Sequence, residues 1–186
     1  MLEFKNVYKS YDNEVIKNLS FILKNGEKLA IVGDSGIGKT TIFNLILKFE
    51  TPDKGEVVNN CKRISTVFQE NRLIEEISAL ENLILVSEKP ETELKAILSE
   101  LGIENENQRV SLMSGGMKRR VAIARALAYG GDLYLLDEPI QGLDVETRDR
   151  VIEAIKKYTK GSSTILISHE DRDLVSFGIE DTLLVL

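Results

Sequence analysis

The segment Gly33-Asp34-Ser35-Gly36-Ile37-Gly38-Lys39-Thr40-Thr41 fits the phosphate-binding pattern Gly-x-x-x-x-Gly-Lys-Ser/Thr. Its chemistry follows from its residue types. The glycines let backbone N–H groups close around phosphate oxygens, and a helix opening at Lys39 adds its partial positive charge. Lys39 is then placed to reach the β- and γ-phosphates of a nucleotide, and the Thr40 hydroxyl to ligate Mg²⁺. Taken alone, this loop leaves kinases, GTPases and many ATPases open.

Two further stretches carry chemistry of their own. Asp132–Asp137 is an apolar run ending in a carboxylate, followed by Glu138 and Pro139. The pattern suits Asp137 holding Mg²⁺ through water and Glu138 polarising an attacking water. Ser114-Gly115-Gly116-Met117 opens the amphipathic stretch to Tyr129, so it forms a second helix start able to face an anion, with Arg119 or Arg120 supplementing it.

These residues need strands and helices to hold them. Leu2–Val7 and Leu19–Leu23, with Asn25-Gly26 making a turn, predict antiparallel strands over the first 25 or so residues. Lys28–Val32 reads as a buried strand feeding the glycine loop. The spacing over Lys39–Phe49 predicts a helix with Ile42, Phe43, Leu45, Ile46 and Phe49 on one face, broken by Thr51-Pro52-Asp53. Val57–Val58 and Ile64–Phe68 read as strands. Residues 72–112 turn rich in Leu, Ile, Glu and Ser, with helices expected near 78–87 and 91–101. Beyond them come a helix near 116–129 stopped by Gly130-Gly131, a strand at 132–137, a helix near 145–159, a strand at 163–168, a short helix, and a strand at Thr182–Leu186. The alternation predicts one α/β domain over 1–186 with a mostly parallel sheet, an antiparallel N-terminal subdomain and a helical subdomain inserted at about 72–125.

Composition sets the outer limits. The chain has 186 residues, 42% hydrophobic and 29% charged, near globular averages, so disorder and fibrous architectures are disfavoured. A formal net charge of −6 argues against a dedicated nucleic-acid binder. The single cysteine, Cys61, excludes an intramolecular disulfide and cysteine metal cages. Unbroken apolar runs such as Leu83–Val86 fall far short of the roughly 20 residues of a membrane span. No basic stretch followed by an apolar one opens the sequence, so a secretory signal is not expected and a cytoplasmic protein is.

In order along the chain, the glycine loop at 33–41, Gln69, the SGGM segment at 114–117, the strand with its acidic pair at 133–138, Gly142-Leu143-Asp144 and His169 resemble the nucleotide-binding subunit of ATP-binding cassette (ABC) ATPases. The resemblance covers essentially the whole chain and implies a P-loop NTPase core binding ATP and Mg²⁺. It implies a head-to-tail dimer, with itself or a sister subunit, in which the loop of one subunit and Ser114, Gly115 and Gly116 of the other clasp one ATP. Gln69 matches the glutamine that senses Mg²⁺ and the attacking water. His169 matches the switch histidine at the γ-phosphate, Asp144 the loop crossing the dimer interface, and Tyr11 the aromatic that stacks on adenine. The catalytic group would be Glu138 with His169 and Gln69, and the metal site Thr40, Gln69 and Asp137. Met113 and Met117 depart from the usual Leu and Gln of the signature, and Met at 117 is familiar in importers of the nitrate, sulfonate and taurine type. The implied function is ATP hydrolysis driving separate integral membrane subunits, importer favoured, from the inner face of the cell membrane; their coupling helix would dock at the helical insertion beside Gln69. A non-transport ABC ATPase of DNA repair or translation is the alternative, disfavoured by the charge and by the lack of long coiled-coil insertions. For a nucleotide kinase, Ser114–Met117 and His169 would be coincidences.

Overall fold

A computed structural model of the chain describes residues 1–34, 36–169, 171–179 and 183–185. Ser35, the remaining glycine-loop residue, lies outside the described residues, as do Thr182 and Leu186 at the ends of the last expected strand.

Five parallel strands form the central sheet in the order β5-β6-β7-β3-β8. They are β3 (Lys28–Val32), β5 (Ile64–Val67), β6 (Leu133–Asp137), β7 (Ser163–Ile167) and β8 (Leu183–Val185). Every residue of β6 and β7 is buried, as a parallel sheet covered on both faces requires. Their side chains alternate between two cores. Leu133, Leu135, Ile165, Ile167, Leu29 and Ile31 face a cluster built with helix α1 (Lys39–Ile46) and the antiparallel sheet. Tyr134, Leu136, Leu166 and Ala30 face the opposite cluster, built largely from the helices α2 (Ala79–Ile84), α3 (Glu91–Glu100), α4 (Gly115–Tyr129) and α5 (Val145–Tyr158) with α6 (Asp171–Phe177).

The antiparallel sheet, in the order β2-β1-β4, contains β1 (Leu2–Ser10), β2 (Glu14–Leu23) and β4 (Lys54–Asn59). Both β1 and β2 run longer than their sequence pattern indicates. The register shifts near Asn6 and Asn18, which take φ of 46° and 50°, and the Asn6 Nδ2 donates to Asn18 Oδ1 at 2.9 Å. Such bulges interrupt the period-two alternation on which strand recognition depends.

Helix α1 stops at Ile46 rather than at Phe49. Lys48 adopts φ 60°, its N–H donates to Leu45 O at 3.2 Å, and the Phe49 N–H donates to Asn44 O at 2.9 Å. This pair of bonds closes the helix as a Schellman motif and turns Phe49 off the apolar face, leaving it 64% exposed. Helix α2 is also shorter than expected. Its start is a capping box of Ser78 and Glu81, and the buried Asn82 holds the preceding segment through Ile74 O and Ser78 O. Helices α2, α3 and α4, which follow β5 and precede β6 in the sequence, pack on one another, and α4 also packs against β5.

Candidate active site

The carboxyl ends of β3, β5, β6 and β7 open onto one edge of the parallel sheet, where open α/β sheets characteristically bind ligands. The glycine loop leaves β3 and enters α1. Gly38, the α1 N-cap, takes φ 115°, and a Cβ there would sit 2.8 Å from Val15 Cγ1, so only glycine suits the turn against β2. An α-helix leaves its first N–H groups without intrahelical partners; in α1 these belong to Gly38, Lys39, Thr40 and Thr41. The Lys39 side chain folds back over its own loop, donating to Gly33 O at 2.6 Å and Asp34 O at 2.8 Å.

One cavity of about 200 Å³ is lined by Gly36, Gly38, Lys39, Thr40 and Thr41 together with Gln69, Asp137, Glu138 and His169. Residues far apart in sequence thus converge through the strand order. Gln69 follows β5, Asp137 ends β6, Glu138 follows it, and His169 lies two residues beyond β7. Asp137 and Glu138 are 7% and 8% exposed. Burial, then the neighbouring Glu138 charge, pushes the Asp137 carboxyl up to about 6, against the opposing pull of Arg119, Lys39 and His169.

Glu138 is held with unusual care. Its φ of 47° lies in the left-handed region, a conformation costing a residue with a Cβ about 1–2 kcal/mol. Its N–H donates to Ile167 O at 3.0 Å, extending the β6–β7 ladder by one step. The His169 Nε2 stands 2.6 Å from Glu138 Oε1. Glu138 Oε2 is buried with no hydrogen-bond partner among the described residues.

Other residues singled out in the sequence do not line this cavity. Ser114 and Gly115, both exposed, and the half-buried Gly116 form the start of α4, where Ser114 Oγ accepts from the Met117 N–H at 3.3 Å. Asp144 caps α5, and the Thr147 N–H donating to it at 3.0 Å holds its carboxyl below the usual range. Tyr11, 53% exposed at the β1–β2 turn, has Lys9 Nζ 5.2 Å from its ring centroid. Asp34 is exposed, and Ile37 lines a separate pocket with Val15 and Leu19 rather than this cavity.

The expectation for Arg119 and Arg120 is corrected. Both are committed to backbone carbonyls; Arg120 lies along the first turn of α4, its Nε donating to Gly116 O at 3.3 Å, and Arg119 points away from it. Arg120 Nη1 donates to Leu101 O and Gly102 O at 2.9 and 2.7 Å. Arg119, 6% exposed, donates to Asp137 O, Glu138 O, Pro139 O, Phe68 O and Gln69 O. The sequence does carry the signal: Arg119 falls on the helical stripe of Ile123, Ala126 and Leu127, all buried.

The thiol, imidazole and carboxylate groups of the described residues form no cluster of three or more able to cage a metal. The donors present are instead the Thr40 hydroxyl, the Asp137 carboxylate and the Gln69 side chain, all oxygen-bearing groups on one cavity. Mg²⁺ characteristically takes one or two protein oxygens beside substrate phosphates and water, so these residues fit it.

Comparison with known proteins agrees with this geometry. Residues 16–141 match the ABC transporter family. The chain is 34% identical over 207 aligned positions to the spermidine/putrescine import ATP-binding protein PotA of Mycoplasma capricolum, covering 100% of this chain and 58% of that protein. It is 37% identical to the aliphatic sulfonates import ATP-binding protein SsuB 1 of Shouchella clausii, covering 94% of this chain and 73% of that one. A dimeric ATP-binding cassette solved in a post-hydrolysis state with ADP and Pi superposes with a TM-score of 0.85 at 28% identity, covering 100% and 94% of the two chains. The chain thus spans less than two thirds of the PotA relatives it matches. With the fold, the convergent cavity and these matches in agreement, the chain belongs to the ABC transporter family.

Proposed function

We propose that this chain is the ATP-binding subunit of an ABC transporter, hydrolysing ATP to ADP and phosphate to drive separate membrane subunits, with import favoured. The observation that carries this reading is the single cavity shared by Lys39, Thr40, Gln69, Asp137, Glu138 and His169. The importing ATP-binding proteins among its relatives favour the direction.

The residues divide the work. The loop N–H groups and Lys39 bind the β- and γ-phosphates, and Tyr11 offers a ring face to adenine. Asp137, Thr40 and Gln69 would hold Mg²⁺, which when bound neutralises developing phosphate charge. Glu138, braced at Oε1 by His169, accepts a hydrogen bond from water and aims it at the γ-phosphate. His169 is also placed to sense that phosphate.

The exposed α4 start, with Ser114, Gly115 and Gly116, lies outside its own subunit's cavity and would complete the nucleotide site of a second subunit, identical or sister, across a head-to-tail dimer. Asp144 would lie at that interface. The helices between residues 72 and 125 would serve as the helical subdomain of a single domain spanning 1–186. No helix among the described residues is long and apolar enough to cross a membrane; the chain would sit in the cytoplasm, at the inner face of the cell membrane, through its partners.

Calorimetry with ATP and phosphate release in Mg²⁺ test the reading on the purified chain. Binding of ATP and its conversion to ADP and phosphate without any added acceptor are expected. No binding at millimolar ATP would overturn the assignment.

A further inference from the structure

After Val67 and Leu136, the last partners of the β5–β6 ladder, the two chains separate toward Gln69 and Glu138. Beyond that point the Arg119 guanidinium occupies the gap between them. Its Nη1 donates to Phe68 O at 2.5 Å and Gln69 O at 3.2 Å, with Asn71 Oδ1 at 3.5 Å. Its Nη2 donates to Asp137 O at 2.6 Å and Glu138 O at 2.8 Å, and its Nε to Pro139 O at 3.0 Å. A planar, permanently charged fork suits a row of carbonyls on two diverging chains in a way a point-like ammonium does not.

We infer that Arg119 is a positioning residue for ATP hydrolysis, fixing the backbone of Glu138, and of Gln69 beside it, so that the Glu138 carboxylate is aimed at water. The inference rests on the function proposed above. The left-handed Glu138 conformation is set by the two peptide planes flanking its Cα. The first plane is held at both ends, its oxygen by Arg119 and its N–H by Ile167 O. The second has no N–H, because Pro139 follows, so the Glu138 carbonyl is its one backbone hydrogen-bonding group, held by Arg119 at 2.8 Å and more loosely by the Gln141 N–H at 3.2 Å. Strained backbone persists where its surroundings over-determine it, and here one side chain bonds the carbonyls of both planes at once. The same side chain belongs to α4, whose N-terminus is the Ser114-Gly115-Gly116 segment.

Arg119 makes no hydrogen bond with the glycine loop or with Lys39 among the described residues. Its removal therefore spares nucleotide affinity and costs turnover. Arg119→Met keeps the length and removes every donor; Arg119→Lys keeps the charge and removes the fork. ATP affinity is measured by calorimetry in EDTA, kcat by phosphate release in Mg²⁺, and folding by thermal melting, all on the full chain.

For Arg119→Met, affinity within about threefold of wild type and kcat lower by roughly 10- to 100-fold are expected, the size of effect that small misplacement of a catalytic group produces. Arg119→Lys should fall between the two, and it decides by the same split if the methionine variant does not fold. In the Glu138→Gln background, Arg119→Met should lower the residual rate by no more than about threefold, because the group it positions is already disabled. Unchanged kcat, a parallel loss of affinity and kcat, or fully additive losses in the double variant would each overturn the inference. Wild-type turnover with an indifferent Arg119→Met defeats this inference alone; a wild-type chain that neither binds nor hydrolyses ATP defeats the functional reading and this one together.

Discussion

His169 Nε2 stands 2.6 Å from Glu138 Oε1, and the other oxygen of that carboxylate is buried with no hydrogen-bond partner among the described residues. One oxygen is braced by a residue beyond β7, and the second is held buried beside it. This division suits a base that must keep its direction while handling a proton.

Glu138→Gln retains the shape and loses the proton acceptor. ATP hydrolysis should fall by about 10²–10⁴-fold, the usual general-base contribution, while ATP binding persists. The variant should then accumulate as an ATP-loaded dimer, whereas the wild type with ADP stays monomeric. Light scattering with ATP, ADP and no nucleotide reads this directly. A Glu138→Gln variant that stays monomeric at saturating ATP would count against the composite-site mechanism.

Lys39→Ala removes the side-chain charge proposed to meet the β- and γ-phosphates. A lost hydrogen bond to a charged group corresponds to roughly 1.5–3 kcal/mol, or about 10- to 100-fold in affinity. The side chain also bonds Gly33 O and Asp34 O, so the loop should loosen as well. Calorimetry checks the result, and an unchanged ATP dissociation constant would remove the phosphate-binding role from Lys39.

Much of this site is legible in the sequence because it hangs on strand ends. β3 appears with the bounds Lys28–Val32 read from its apolar run, and it delivers the glycine loop directly into α1. Asp137 and His169 are likewise found by counting to the ends of buried strands. Arg119 is not legible in the same way. A cationic residue beside Ser-Gly-Gly suggests an anion, and only the helical phase, with Ile123 and Leu127 on the same stripe, reveals its burial. Its partners are backbone carbonyls, which carry no signature in side-chain sequence. The extra lengths of β1 and β2 escape for a related reason, since a bulge alters backbone register without changing residue type. The end of α1 is hidden because Phe49 completes an apolar period, while the Schellman closure that ejects it depends on Lys48 adopting a left-handed conformation.

Ser114→Arg separates the two helix starts proposed to face phosphate. Ser114 is exposed and does not line the Lys39 cavity, so ATP binding to the isolated chain should remain within about threefold of wild type. A bulky cation at the α4 start should block approach of a second subunit's nucleotide and lower turnover by about 100-fold or more. Full turnover in this variant would show that α4 takes no part in a shared site.

Asp137 links stability to function with a definite sign. Its carboxyl titrates at about 6 in the fold against an ordinary 3.8, raised first by burial and next by the Glu138 charge. The folded protein therefore holds this proton more tightly than the unfolded chain does. Its stabilising contribution is complete below pH 3.8 and is lost as pH rises through 6. Near pH 7.5 the nucleotide-free protein carries a buried charge beside another carboxylate, at a cost of about 1–2 kcal/mol once solvent screening is allowed for. Asp137→Asn removes that cost. The nucleotide-free variant should melt higher than wild type at pH 7.5 by roughly 2–8 °C, and the gap should close as pH falls toward 4. Addition of Mg²⁺ and ATP should reverse the ranking, because the neutral amide lacks the charge that favours a divalent cation and so loses most of the ligand-induced gain. Thermal melting from pH 4 to 8, with and without Mg²⁺ and ATP, measures both halves. A nucleotide-free Asp137→Asn chain that melts below wild type at pH 7.5 would show that the carboxylate stabilises the empty fold; undiminished stabilisation by Mg²⁺ and ATP would remove Asp137 from the metal site.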